Sequence, residues 1–254
     1  MSKIGIFDSG IGGLTVLKRL ILTLPNEDYI YIGDNKNCPY GDKTKEQLWE
    51  YATKIIDYFI KREVNLIIVG CNTVNSNIFN ELIIKYSNIK IIGVIESTIE
   101  KVIALNPNSC LIIATKQTIK AKKYQQKINE QNKGIQTINL ATPLLVPMIE
   151  ENNPNIEIIL RNYLEEYTDQ VDILVLGCTH YEIVEDKINK IFNKPIVSSS
   201  AEIVVKVKCY LESNNLTNQT KGKTEIFTTG NVGKFIEASS FFDYNNKKVS
   251  SLDL

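Results

Sequence analysis

One histidine, His180, occurs in the 254 residues, and no Cys-x-x-Cys pair accompanies it. A histidine-rich or zinc-ribbon metal site is therefore excluded by ligand supply, and no metal is expected. Net charge is also lacking, since 29 basic side chains offset 29 acidic ones. A broad nucleic-acid footprint carries a strong basic bias, so nucleic acid is not an expected partner. No run reaches the about 18 apolar residues of a membrane span. The N-terminus enters a strand-like run at once and lacks a secretory pattern. Five cysteines, at 38, 71, 110, 178 and 209, are odd in number and widely spaced. They make no disulfide framework and fit a reducing cytoplasm.

What is present is strand–helix alternation. Short β-branched runs lie at 4–8, 29–33, 66–71, 91–94, 110–115, 135–139, 173–178, 196–198 and 225–229. Helical patterns lie between them. The clearest is 45–62, where Leu48, Ala52, Ile55, Ile56 and Phe59 form one apolar face and Thr44 and Gln47 have capping-box spacing. Such alternation predicts an α/β fold with mainly parallel sheets, in which ligands gather at the carboxyl ends of strands.

One element occurs twice. Residues 65–73 read Asn-Leu-Ile-Ile-Val-Gly-Cys-Asn-Thr, and 172–181 read Asp-Ile-Leu-Val-Leu-Gly-Cys-Thr-His-Tyr. Each apolar run ends in Gly-Cys. The repeat predicts two similar doubly wound α/β domains, one formed by 1–95 with 210–254 and the other by 96–209, with the active site in the cleft between them. The segment 225–230 is expected to return to the first sheet, 213–221 to be a connecting loop, and 248–254 carry no signal.

Two thiols facing each other across a cleft can move a proton from one face of a carbon to the other, with neither metal nor cofactor. A lone strand-end cysteine is often only a buried small residue. Cys71 and Cys178 occur as a matched pair, and a helix start after each is expected to lower the thiol pKa. Asn72 and Thr73 add neutral donors. His180, two residues past Cys178, is placed to polarise that thiol or carry its proton. Asp8 stands at the tip of the first strand, in Asp-Ser-Gly-Ile-Gly-Gly (8–13), where glycines allow close backbone approach. With Asp34 about 20 residues on, a dinucleotide site is also conceivable, but the third glycine of G-x-G-x-x-G is misplaced. Pro39-Tyr40-Gly41 is a shaped loop or an ordinary turn. Thr115 and Thr118 either cap a helix or hold a carboxylate; Glu150 is either a solvated helix residue or a partner for His180.

At these motifs the chain resembles the glutamate racemases, nearly end to end. The shared elements are Asp8-Ser9-Gly10, Pro39-Tyr40-Gly41, Cys71-Asn72-Thr73, Thr115-x-x-Thr118, Pro147-x-x-Glu150, Gly177-Cys178-Thr179-His180-Tyr181, Ser200-Ala201-Glu202 and Thr228-Thr229-Gly230. Singly they are unspecific; in this order they are specific. The resemblance implies cofactor-independent interconversion of L- and D-glutamate, supplying D-glutamate for peptidoglycan, in a cytoplasmic homodimer. It implies Cys71 and Cys178 as the acid–base pair, the first working on D-glutamate and the second on L-glutamate. Asp8 then assists Cys71, and His180 with Glu150 assists Cys178. Ser9, Tyr40, Gly41, Asn72, Thr73, Thr115, Thr118 and Thr179 line the substrate site.

The chain departs from the family pattern at four places. Asn37 stands where arginine is common, Val74-Asn75 where a small pair is usual, Glu182 where proline follows, and Ser199 where aspartate is common. Without an N-terminal extension, activation by a cell-wall precursor is not expected. The competing readings are a racemase of aspartate or another acidic amino acid, a non-catalytic ligand-binding protein on the same scaffold, and, more distantly, a nicotinamide dehydrogenase.

Overall fold

The computed structural model describes residues 2–245 and 247–254. Among these residues ten strands form two sheets. In chain order they are β1 (Lys3–Asp8), β2 (Asp28–Gly33), β3 (Leu66–Val69), β4 (Lys90–Gly93), β5 (Ser109–Ala114), β6 (Gln136–Ala141), β7 (Ile173–Gly177), β8 (Ile196–Ser198), β9 (Thr224–Thr228) and β10 (Val249–Ser251). The first sheet has the order β10-β9-β2-β1-β3-β4 and the second β6-β5-β7-β8. Every pairing is parallel. Each sheet is doubly wound in the flavodoxin manner, so its strands end at one edge, where the chain turns into helices.

Helices cover both faces, which is why β3 and β7 are buried at every residue and read as continuous apolar runs. Strand alternation sorts their side chains. Ile67 and Val69 point into a cluster with Phe7, Ile55, Ile56 and Phe59. Leu66 and Ile68 join Ile4, Ile6, Leu111, Ile113, Leu174 and Leu176 in a cluster that runs through both sheets. Each fully buried Leu or Ile contributes about 1.5–3 kcal/mol of transfer free energy. The two units are therefore joined by core as well as separated by a cleft. Helices Leu14–Thr23 and Ser199–Ser213 pack together on that side, and Arg19 Nε donates to Ser200 Oγ at 2.7 Å.

The helix Lys45–Lys61 begins as its sequence implies: Gln47 N donates to Thr44 Oγ1, and Thr44 N donates to the Gln47 side chain at 3.0 Å. The chain after β8 also returns to the first sheet, with β9 beside β2. Strand β10 had no sequence signal. Three residues behind Lys247-Lys248 are too few to show a period, and only β9's free edge makes them a strand.

Candidate active site

The site forms where β1, β3 and β7 end. Beyond β3, Gly70 N donates to Phe7 O at 2.9 Å, and Cys71 takes the N-cap position of helix Asn72–Asn77. Asn75 Nδ2 donates to the carbonyls of Val69 and Cys71, both at 2.8 Å, which fixes the turn that carries the thiol. Beyond β7, Cys178 is extended and a single 3₁₀ segment, Thr179–Val184, follows. The two sheets thus present one thiol each to a shared space.

Asp8, Ser9, Tyr40, Gly41, Cys71, Asn72, Thr73, Thr115, Cys178, Thr179 and His180 all line that space, joined by Pro39 and Val146. Thr118 and Glu150 stand one layer behind. Thr118 bonds to Thr115 at 3.0 Å, and Thr73 bonds to Thr115 at 2.9 Å, so three hydroxyls form a connected patch. Thr115 also caps its helix, accepting from Thr118 N. Of the two alternatives open for Thr115 in the sequence, the helix cap is the one observed.

The groups around the two thiols differ. Cys178 Sγ lies 3.8 Å from His180 Nδ1, and His180 Nε2 lies 2.7 Å from Glu150 Oε1. Burial disfavours the imidazolium, but hydrogen bonds to Cys178, Cys38 and Glu150 outweigh it and hold the His180 pKa well above the usual range. Glu150 is aimed by Ile11 N and by Asn35 Nδ2, each at 2.8 Å. Around Cys71 the balance is reversed. Burial, and then the negative charge of Asp8, push its pKa up, against the smaller opposing effect of the Val74 and Thr73 amides. The helix start after Cys71 acts in the expected direction and is overridden by desolvation. Asp8 itself is raised by burial, and Thr179 Oγ1 donates to its Oδ2 at 2.9 Å across the two sheets.

Two glycines permit this closeness. A methyl group at Gly10 would strike the Glu150 carboxylate, and one at Gly12 would strike the His180 ring. The glycine-rich turn after β1 thus serves close approach between the units, and no dinucleotide cradle is needed to account for it.

A family model described as Asp/Glu/Hydantoin racemase matches residues 12–207. A glutamate racemase from Fusobacterium nucleatum is 39% identical over 241 residues, 92% of this chain and 90% of that protein. Glutamate racemase 2 of Caldanaerobacter subterraneus is 37% identical over 244 residues, 93% of this chain and 91% of that protein. The crystal structure of a Francisella tularensis glutamate racemase in complex with D-glutamate superposes with a TM-score of 0.90 at 32% identity, covering 100% of this chain and 97% of that one. The chain belongs to the Asp/Glu/Hydantoin racemase family, among its glutamate racemases.

Within that family its four departures acquire structural accounts. Asn37 Nδ2 donates to both Asp34 oxygens, at 3.1 and 3.0 Å, and Tyr40 Oη donates to Asp34 Oδ2 at 2.5 Å. A neutral amide thus holds the carboxylate that positions Tyr40. Asn75 secures the Cys71 turn, and Gly93 leaves the room its amide needs. Ser199 lies 3.4 Å from Asn72 Nδ2, while Asn72 Oδ1 accepts from Tyr124 Oη at 2.7 Å. Glu182 accepts from the Ser200 amide at 2.9 Å and from its hydroxyl, capping helix Ser199–Ser213; burial pushes its carboxyl up to about 7.

Asn35, Cys38 and Val146 were not proposed as site residues by sequence. Pro39 belongs to a noted motif. Asn35, Cys38 and Val146 have no local signal, because only the folded chain brings them to His180, Glu150 and the thiols. Among the described residues, no helix is long and apolar enough to cross a membrane.

Proposed function

We propose that this racemase interconverts L- and D-glutamate by two-thiol proton transfer and supplies D-glutamate for peptidoglycan. The observation that carries the reading is the placement of Cys71 and Cys178, at the ends of strands in opposite sheets, in one buried space lined by hydroxyl and amide donors.

The Cα–H of an amino acid is a very weak acid, so the developing carbanion needs fixed donors around the substrate carboxylates. The hydroxyls of Ser9, Thr73, Thr115 and Thr179 and the Asn72 amide supply them, with Tyr40, Gly41 and Thr118 shaping the site. Starting from L-glutamate, the Cys178 thiolate takes the Cα proton and the neutral Cys71 thiol delivers its own to the opposite face. Cys178 ends as thiol and Cys71 as thiolate, so the reverse reaction exchanges their roles. The raised pKa of Cys71 suits it as the acid in this direction. Imidazolium His180, oriented by Glu150, stabilises a thiolate at Cys178; Asp8 assists proton movement at Cys71.

The space between the thiols has a volume of about 10 Å³, room for about one water. Substrate entry therefore requires the cleft to widen. The reading takes 1–95 with 210–254 as one domain and 96–209 as the other, working as a cytoplasmic homodimer.

The test is proton NMR of L-glutamate with the enzyme in D2O. Loss of the Cα–H signal with appearance of D-glutamate is expected, and Cys71→Ser or Cys178→Ser lowers racemisation by at least about 10²-fold. Exchange with aspartate but not glutamate would move the assignment to the aspartate branch, and no exchange from folded protein would overturn it.

A further inference from the structure

Three donors outside the thiol pair converge where the loop after β2 meets the second sheet. Cys38 Sγ, a Glu150 carboxylate oxygen and a His180 ring nitrogen all lie within 4.8 Å of one another. Among the described residues no other group of three or more His, Cys, Asp or Glu side chains gathers in this way. We propose that Cys38, Glu150 and His180 form a site for a thiophilic divalent cation of the Zn2+ type, and that its occupation clamps the cleft shut and stops turnover.

The donor set carries the chemistry. Thiolate, imidazole and carboxylate together select Zn2+-like ions over Mg2+ or Ca2+, which favour oxygen alone. Zinc bonds of about 2.0–2.3 Å place tetrahedral donors about 3–4 Å apart, close to the observed gathering. Three protein ligands leave a fourth position for water. Supporting groups already hold two of the ligands: Asn35 Nδ2 donates to Glu150 Oε2 at 2.8 Å, and His180 Nδ1 faces Cys178 Sγ at 3.8 Å. On binding, the ion displaces the Cys38 thiol proton and replaces the His180–Glu150 hydrogen bond.

The consequence follows from where the ligands originate. Cys38 belongs to the loop after β2 of the first sheet, whereas Glu150 and His180 follow β6 and β7 of the second. An ion bound to all three bridges the cleft. The space of about 10 Å³ between the thiols must widen to admit an amino acid, so an ion that prefers the narrow arrangement opposes substrate entry. It also occupies the imidazole nitrogen that Glu150 orients, which removes His180 from proton traffic.

The experiment titrates metal-stripped full-length protein with Co2+ and records the near-ultraviolet thiolate-to-cobalt charge-transfer band. Wild type, Cys38→Ser, Cys38→Ala and the Cys71→Ser/Cys178→Ser double variant are compared, with circular dichroism to confirm folding. The band is expected in wild type and in the double variant, and absent when Cys38 is replaced. In parallel, Zn2+ is expected to inhibit wild-type glutamate turnover reversibly, with a chelator restoring it. With inhibition expressed relative to each variant's own metal-free rate, Cys38→Ser needs at least about tenfold more Zn2+ for half-inhibition, since loss of a supporting group alone costs about 10–100-fold in affinity. Absence of the band in wild type, its survival without Cys38, or its loss in the double variant overturns the proposal; the last would place the ion between the catalytic thiols. The inhibition arm rests on the proposed racemisation, whereas the band reports coordination alone, so failure of one reading is distinguishable from failure of the other.

Discussion

His180 Nε2 lies 2.7 Å from Glu150 Oε1, and the two residues are 30 apart in the chain. Glu150 ends helix Leu145–Glu150 and His180 follows β7, so both come from the second unit, while Ile11 and Asn35 of the first unit aim the carboxylate. The opposite ring nitrogen faces Cys178, which makes the pair an electrostatic support for one thiol and not the other.

Because the chain has a single histidine, its imidazole can be titrated by NMR without assignment. In metal-free wild type the ring is expected to stay protonated well above pH 6.5, owing to the Cys178, Cys38 and Glu150 hydrogen bonds that outweigh burial. A folded-state pKa above the unfolded value means that the associated stability is fully present below about pH 6.5 and is lost as pH rises through the folded value. Glu150→Gln lowers the titration midpoint. An unchanged midpoint would show that the carboxylate does not hold the charge.

Asp8→Asn acts on the other thiol. Burial is the larger cause of the raised Cys71 pKa and the Asp8 charge the next, so removing that charge brings the thiol down toward its ordinary range without reaching it. Iodoacetamide alkylation followed against pH, in a Cys178→Ser background, reports the shift. A midpoint moving upward would contradict the electrostatic assignment.

Gly12→Ala places a methyl group against the His180 ring and Thr179. Displacement of catalytic groups by about 1 Å costs about 10²-fold in rate, so kcat is expected to fall by that order. Thermal unfolding separates the two possibilities: a large drop in Tm with a near-normal kcat would assign Gly12 to folding and not to the site.

Glu182→Gln is predicted to stabilise the protein at alkaline pH. Burial raises this carboxyl to about 7 from its ordinary 4.5, so the folded state binds the proton more tightly than the unfolded state. The stabilisation is full below about pH 4.5 and is lost as pH rises to about 7, leaving a buried charge above that. The amide keeps an acceptor for the Ser200 N–H and carries no charge. Tm measured from pH 5 to 9 is expected to diverge in favour of the variant above pH 7. A constant difference would remove the titration as its cause.

The sequence alone determined the α/β class, because buried parallel strands require unbroken apolar runs and helices require the 3.6 period. It also singled out Cys71 and Cys178, since a repeated Gly-Cys at two strand ends places both thiols at carboxyl edges. The Thr44–Gln47 capping box was legible for the same reason: its partners are three residues apart. Tertiary structure decided what depends on distance through space. Burial, which no local pattern encodes, reversed the expected lowering of the Cys71 pKa. Val249–Ser251 became a strand only because β9 offered a free edge, and Asn35 and Cys38 acquired meaning only when folding carried them to Glu150 and His180. Local periodicity fixes elements, but desolvation and side-chain convergence belong to the assembled fold.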